Sequence, residues 1–151
     1  MRVNEDFRDL LRALCDAEAR FLIVGAYAVS AHAEPRATGD LDLWVEPTSQ
    51  NAGRVYAALR RFGAPLEALS EADLERPGIV FQMGLPPRRI DILTAITGVD
   101  FETAWQDRVP VEYAGVACHV IGFEALVENK RRLGRAKDLA DLELLEIHRR
   151  R

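Results

Sequence analysis

Three aspartates stand where a fold does not need them. In Asp40-Leu41-Asp42-Leu43-Trp44-Val45 acids and apolar residues alternate with the period of a β-strand. Leu41, Leu43 and Val45 then share one face, and Asp40, Asp42 and Trp44 the other. The rise of a strand sets the two carboxylates side by side, roughly 7 Å apart at their Cα atoms. Like charges at that spacing repel and raise each other's pKa, and aspartate has poor strand propensity. A hard divalent cation, Mg²⁺ or Mn²⁺, removes the repulsion because it takes carboxylate oxygens and leaves positions for water or phosphate. Asp91 in Arg89-Ile90-Asp91-Ile92-Leu93 repeats the pattern and offers a third ligand. The competing reading is that these acids cap strand ends or pair with Arg36, Arg88 or Arg89.

A second chemistry lies just upstream. The apolar run 21–24 ends at Gly25-Ala26, and a helical stretch rich in small residues follows. A tight strand-to-helix turn leaves backbone N–H groups pointing outward at the positive end of the helix dipole, where they can bind a phosphate. Arg36 and Thr38, in the loop before the acids, could touch phosphates or equally stabilise the loop. The chain's two lysines, Lys130 and Lys137, lie in one stretch with Arg131, Arg132 and Arg135. By charge pattern alone they read as a solvated, salt-bridged helix face. Trp44 could stack on a base or simply pack. His32 reads as helix-packing or solvent-facing, His119 as partly exposed and Trp105 as core.

The elements that must hold these residues follow from pattern. Asn4 caps a helix reaching residue 19, with Phe7, Leu10, Leu11 and Leu14 on one face. Strands are predicted at 21–24, 40–46, 79–84, 88–93, 111–113 and 116–121. The third and fourth form an antiparallel pair across Pro86-Pro87, and the last two a hairpin at Ala114-Gly115. Helices are predicted at 26–33, 49–62 (capped by Ser49), 100–108, 123–133 and 136–149, with one helical turn after Ser70. The expected architecture is a single α/β (α+β) domain with a mixed sheet of five or six strands, flanking helices and a C-terminal helix pair.

Composition narrows the function classes. The chain has 151 residues, 48% hydrophobic and 29% charged, which suits a globular domain rather than a disordered one. A net charge of −4 argues against non-specific nucleic-acid binding over the whole surface. No apolar run approaches the ~20 residues that span a bilayer, so no membrane contact is expected. The N-terminal stretch 1–12 is charged and lacks the apolar segment of a signal peptide, and Cys15 and Cys118 are in no metal-ligand spacing. Two buried free thiols in a reducing cytoplasm are expected.

Gly25-Ala26, thirteen residues, then Asp40-Leu41-Asp42 resembles the signature of the DNA polymerase β-like nucleotidyltransferase superfamily. Val24-Gly25-Ala26-Tyr27-Ala28-Val29, with the run 36–43, looks closer to its small bacterial branch, which includes the AbiEii-type toxin nucleotidyltransferases. The likeness extends over Arg89-Ile90-Asp91-Ile92-Leu93 and the lysine stretch, nearly the whole chain. It implies the polymerase β-like fold, catalytic metal ions on Asp40, Asp42 and Asp91, and phosphates at Gly25, Ala26, Lys130 and Lys137. It also implies a role for Asp138 as a base or an orienting group. The implied reaction transfers a nucleoside monophosphate from an NTP to an acceptor hydroxyl of RNA (a tRNA end included), protein or a small molecule. A cognate toxin or antitoxin is the implied partner, and the oligomeric state, a homo-oligomer included, stays open. Ala26 stands where many active members carry Ser or Gly, which leaves open a non-catalytic nucleotide- or partner-binding module of the same fold.

Overall fold

The computed structural model describes residues 4–35 and 39–149. Arg36 and Thr38 lie outside the described residues. Six α-helices, one 3₁₀ turn and six strands are present among the described residues. The helices are α1 (Glu5–Asp16), α2 (Gly25–His32), α3 (Ser49–Phe62), α4 (Phe101–Gln106), α5 (Phe123–Leu133) and α6 (Ala136–Arg149). The strands are β1 (Phe21–Val24), β2 (Leu41–Val45), β3 (Val80–Met83), β4 (Ile90–Leu93), β5 (Val109–Tyr113) and β6 (Val116–Val120). They form one mixed sheet in the order β3-β4-β2-β1-β6-β5. The pairs β1–β6 and β2–β4 are parallel and the rest antiparallel.

Local chemistry accounts for most of the boundaries. The Asn4 side chain accepts from the backbone N–H groups of Asp6 and Phe7, and Glu5 and Asp6 fill the first turn of α1. The buried face of α1 is Phe7, Leu10, Leu11 and Leu14, each side chain contributing about 1.5–3 kcal/mol by leaving water. Helix α1 ends at Asp16, earlier than its pattern suggests, and Thr48 rather than Ser49 caps α3. The turn after Ser70 forms with a reciprocal cap between Ser70 and Asp73. The β5–β6 hairpin turns through Ala114 and Gly115, both at positive φ (52° and 85°), as a two-residue turn between twisted strands requires.

Strands β1, β2 and β4 are largely buried, while the edge strands β3 and β5 are mostly exposed. Helix α1 packs on α3 and β6, while α2 lies against β1 and β2 and meets α5 and α6. His32 fastens α2 to the start of α5: its Nε2 is 2.6 Å from the Ile121 carbonyl, and its ring meets Phe123 edge-on. Trp44 is fully buried and meets Phe101 edge-on at 4.9 Å, so of its two readings packing is the one realised. Trp105 is only partly buried, stacked on Phe101 and flanked by the guanidiniums of Arg20 and Arg108, so it is not a core residue. Cys118 is buried, but Cys15 is only partly so, which corrects the expectation for one of the two thiols. Among the described residues no helix is long and apolar enough to cross a membrane.

Candidate functional site

Strands β2 and β4 lie side by side and parallel, in a register that makes Asp42 the direct partner of Asp91. Partners in a parallel pair point to the same face, so the two carboxyls meet, within hydrogen-bonding reach of each other. Asp40 sits immediately before β2 rather than within it. Its Oδ1 accepts the backbone N–H of Arg89 at 2.9 Å, which draws the third carboxylate to the same end of the sheet. The next strand brings the glycine turn. Val24 at the end of β1 is the register partner of Asp42, so Gly25 begins α2 directly beside that carboxylate.

Gly25 is required there twice over. Its φ is +68°, a region L side chains rarely adopt, and a Cβ on it would collide with the Asp42 carboxylate. The first turn of α2 carries no acid, and no side chain caps it among the described residues. Gly25 and Ala26 line the cavity, and the first N–H groups of a helix have no partner within the helix itself.

One cavity of about 780 Å³ collects these parts. Gly25, Ala26, Asp40, Asp42 and Asp91 line one side, and Lys130, Arg135 and Lys137 line the other. Beyond the charges the wall turns neutral, with Leu93, Ile96, Thr97, Asn129 and Leu133. Every sequence-predicted site residue among the described ones lines this cavity except Asp138, which lies directly behind it. A second hollow, of about 480 Å³, lies between α1 and the end of α3 and holds none of them.

The carboxylate wall is electrostatically uncomfortable. Burial pushes the Asp42 carboxyl from 3.8 up to about 6, and Asp91 and Asp40 add to the rise. Arg89 offsets part of it. Its Nε and Nη2 fork onto the two oxygens of Asp91 at 2.8 and 3.2 Å, and Nη2 lies 3.5 Å from Asp40 Oδ2. Among the described residues no group of three or more His, Cys, Asp or Glu side chains stands in metal-holding geometry, and the Arg89 guanidinium occupies part of that space. The donor set nevertheless suits a hard cation: oxygen ligands only, and more negative charge than one guanidinium balances.

The opposite wall differs from a surface helix pair. Lys130 is 6% exposed and Asp138 fully buried. Lys130 Nζ lies 3.3 Å from Asp138 and 3.1 Å from Asp141, locking α5 to α6. Arg135 adds a fork on Asp138, with Nε to Oδ2 at 2.6 Å and Nη2 to Oδ1 at 3.2 Å, and its backbone N–H donates to Oδ2. Burial alone would raise the Asp138 pKa. The hydrogen bonds from Arg135 and Lys130 outweigh it and hold the carboxyl below 3.8. With both oxygens engaged, Asp138 suits orienting two cations better than accepting a proton. Lys137 has no ion-pair partner among the described residues and lines the cavity.

The sequence pattern places Arg135 only within the basic stretch, gives Asn129 no role and makes Arg89 only a pairing partner. Arg89 left a usable signal, since it stands two residues before Asp91 and thus on the same strand face. Asn129 left none, because only the packing of α5 and α6 brings it to the cavity. No protein-family model matches the chain, and no curated protein matches it.

Proposed function

We propose that this chain is a metal-dependent nucleotidyltransferase of the polymerase β-like fold, moving a nucleoside monophosphate from an NTP to an acceptor hydroxyl. The observation that carries the reading is the meeting of Asp42 and Asp91 on adjacent strands, beside the uncapped turn at Gly25 and opposite a cationic wall. The resemblance of Gly25-Ala26 and Asp40-Leu41-Asp42 to that superfamily's signature supports the reaction class.

Asp40, Asp42 and Asp91 would hold Mg²⁺ or Mn²⁺, which when bound supplies charge neutralisation of the phosphates and polarises the reacting oxygens. The remaining work falls to the chain. The N–H groups of Gly25 and Ala26 donate to phosphate oxygens at the start of α2. Lys137 and the exposed side of Arg135 face the same space and balance the charge of a leaving pyrophosphate. Asp138, itself held by Lys130, keeps Arg135 in place from behind. The neutral stretch around Ile96, Asn129 and Leu133 has the character of a base- or sugar-binding wall, apolar with one carboxamide. The acceptor is the hydroxyl of an RNA end or a protein side chain, and a toxin–antitoxin pair is the biological setting that the resemblance suggests.

Incubation with α-labelled NTPs, Mg²⁺ or Mn²⁺, and either total RNA or a cell lysate tests the reading. Label should pass to RNA or to a protein band, and Asp42→Asn should abolish it. Transfer that persists in Asp42→Asn sinks the assignment. Tight NTP binding without any transfer would favour a non-catalytic module, for which Ala26 is the motivating residue.

A further inference from the structure

The carboxylate cluster already holds a cation of its own. Arg89 engages both oxygens of Asp91 through its fork, reaches Asp40 Oδ2 with the same guanidinium, and donates its backbone N–H to Asp40 Oδ1. The residue immediately precedes β4 and lines the cavity, with its side chain 30% exposed. The guanidinium is therefore anchored on the acids yet borders open space into which it can swing. A planar guanidinium fork uses the same in-plane carboxylate oxygens that a hard divalent ion needs. On a shared Asp91 the two cations would stand roughly 4 Å apart, where they repel each other.

We propose that Arg89 is an internal competitor for the metal site, a guanidinium that a divalent ion must displace from Asp91 before all three carboxylates can bind it. This rests on the nucleotidyltransferase reading and adds a regulation to that site. A displaced guanidinium carries its charge toward the cavity, where the phosphates of a nucleotide are the only strong bidentate acceptors the reaction would bring. Metal and NTP therefore bind each more tightly in the other's presence, and the empty site stays shut against divalent ions at low concentration.

The test is Mn²⁺ binding to the full chain without nucleotide, followed by electron paramagnetic resonance of the free ion and by calorimetry. Arg89→Met keeps the length of the side chain and removes its charge and fork. It should lower the Kd for Mn²⁺ at least roughly tenfold, as removal of a like charge about 4 Å from the ion requires in a partly solvated site. Arg89→Lys keeps a point charge without the fork and should fall between wild type and Arg89→Met. Folding of each variant is checked by circular dichroism; should Arg89→Met not fold, tighter binding by Arg89→Lys carries the same conclusion. Wild-type binding with unchanged or weaker affinity in the folded variants overturns the competition and leaves the proposed function standing. Absence of Mn²⁺ binding in both wild type and folded Arg89→Met removes the metal site, and the nucleotidyltransferase reading falls with it.

Discussion

Asp42→Asn should make this protein more stable at neutral pH, although it removes a proposed catalytic group. The Asp42 carboxyl is raised from 3.8 to about 6, first by burial, then by Asp91 and Asp40. A raised folded-state pKa means that the folded chain holds the proton more tightly than the unfolded one. Stability from this group is therefore fully present below 3.8, falls as pH rises through about 6, and stays lost above it. The interval between 3.8 and about 6 corresponds to about 3 kcal/mol. Asparagine keeps the shape and abolishes the charge, so the gain at pH 7.5 should approach about 3 kcal/mol, and Tm should rise by roughly 6–12 °C. Near pH 4 the wild-type carboxyl is neutral when folded, and the gain should shrink to below about 1 kcal/mol. Urea titrations followed by far-UV circular dichroism in EDTA, at both pH values, measure the difference. A variant no more stable than wild type at pH 7.5, or a gain that does not depend on pH, refutes the reasoning. Saturating Mn²⁺ should reverse the ranking, because an ion bound only by the folded carboxylates stabilises wild type and not the variant.

Gly25→Ala places a side chain at positive φ and against the Asp42 carboxylate. The expected cost is about 2 kcal/mol or more in a urea titration. Combination with Asp42→Ala should recover part of it, and strict additivity would argue against the collision. Asp138→Asn removes the buried carboxylate that Lys130 and the half-exposed Arg135 share and leaves the buried Lys130 with Asp141 alone, with an expected loss of about 3 kcal/mol at neutral pH. Because the Asp138 pKa is lowered on folding, its contribution is present above 3.8 and is lost as pH falls below it, so acid titrations of wild type and variant should converge. The Cys118 thiol is pushed up to about 12 by burial, and Cys15 is raised as well but remains partly accessible. A thiol reagent at neutral pH should modify Cys15 first and reach Cys118 only after denaturant is added; equal rates in the native protein would contradict the burial of Cys118.

The resemblance and the geometry bear on different parts of the function. The motif at Gly25-Ala26 and Asp40-Leu41-Asp42 supports the reaction class, while the cavity supports a physical division of labour: acids on β2 and β4, amides at the start of α2, cations on α5 and α6. Lys130 illustrates the difference. The resemblance implies a phosphate contact for it, but the ammonium is caught between Asp138 and Asp141, whereas Lys137 and Arg135 are exposed where they line the cavity.

What the sequence determined by itself was local. Asn4, Thr48, Ser70 and Asp100 cap turns that begin within a residue or two of where the pattern puts them. Alternation in 40–46 and 88–93 marked both acidic strands, because side-chain direction in a strand depends only on its period. What only the tertiary structure decided was which strands are neighbours and in what register. Strands β2 and β4 are separated in the chain by α3, the 3₁₀ turn and β3, and a slip of one residue would turn Asp91 away from Asp42. Period fixes a face; only the packing of both faces fixes the pairing. For the same reason the burial of Lys130 and Trp44, and the reach of Arg89 across the acids, were invisible to pattern: each depends on residues far along the chain closing over it.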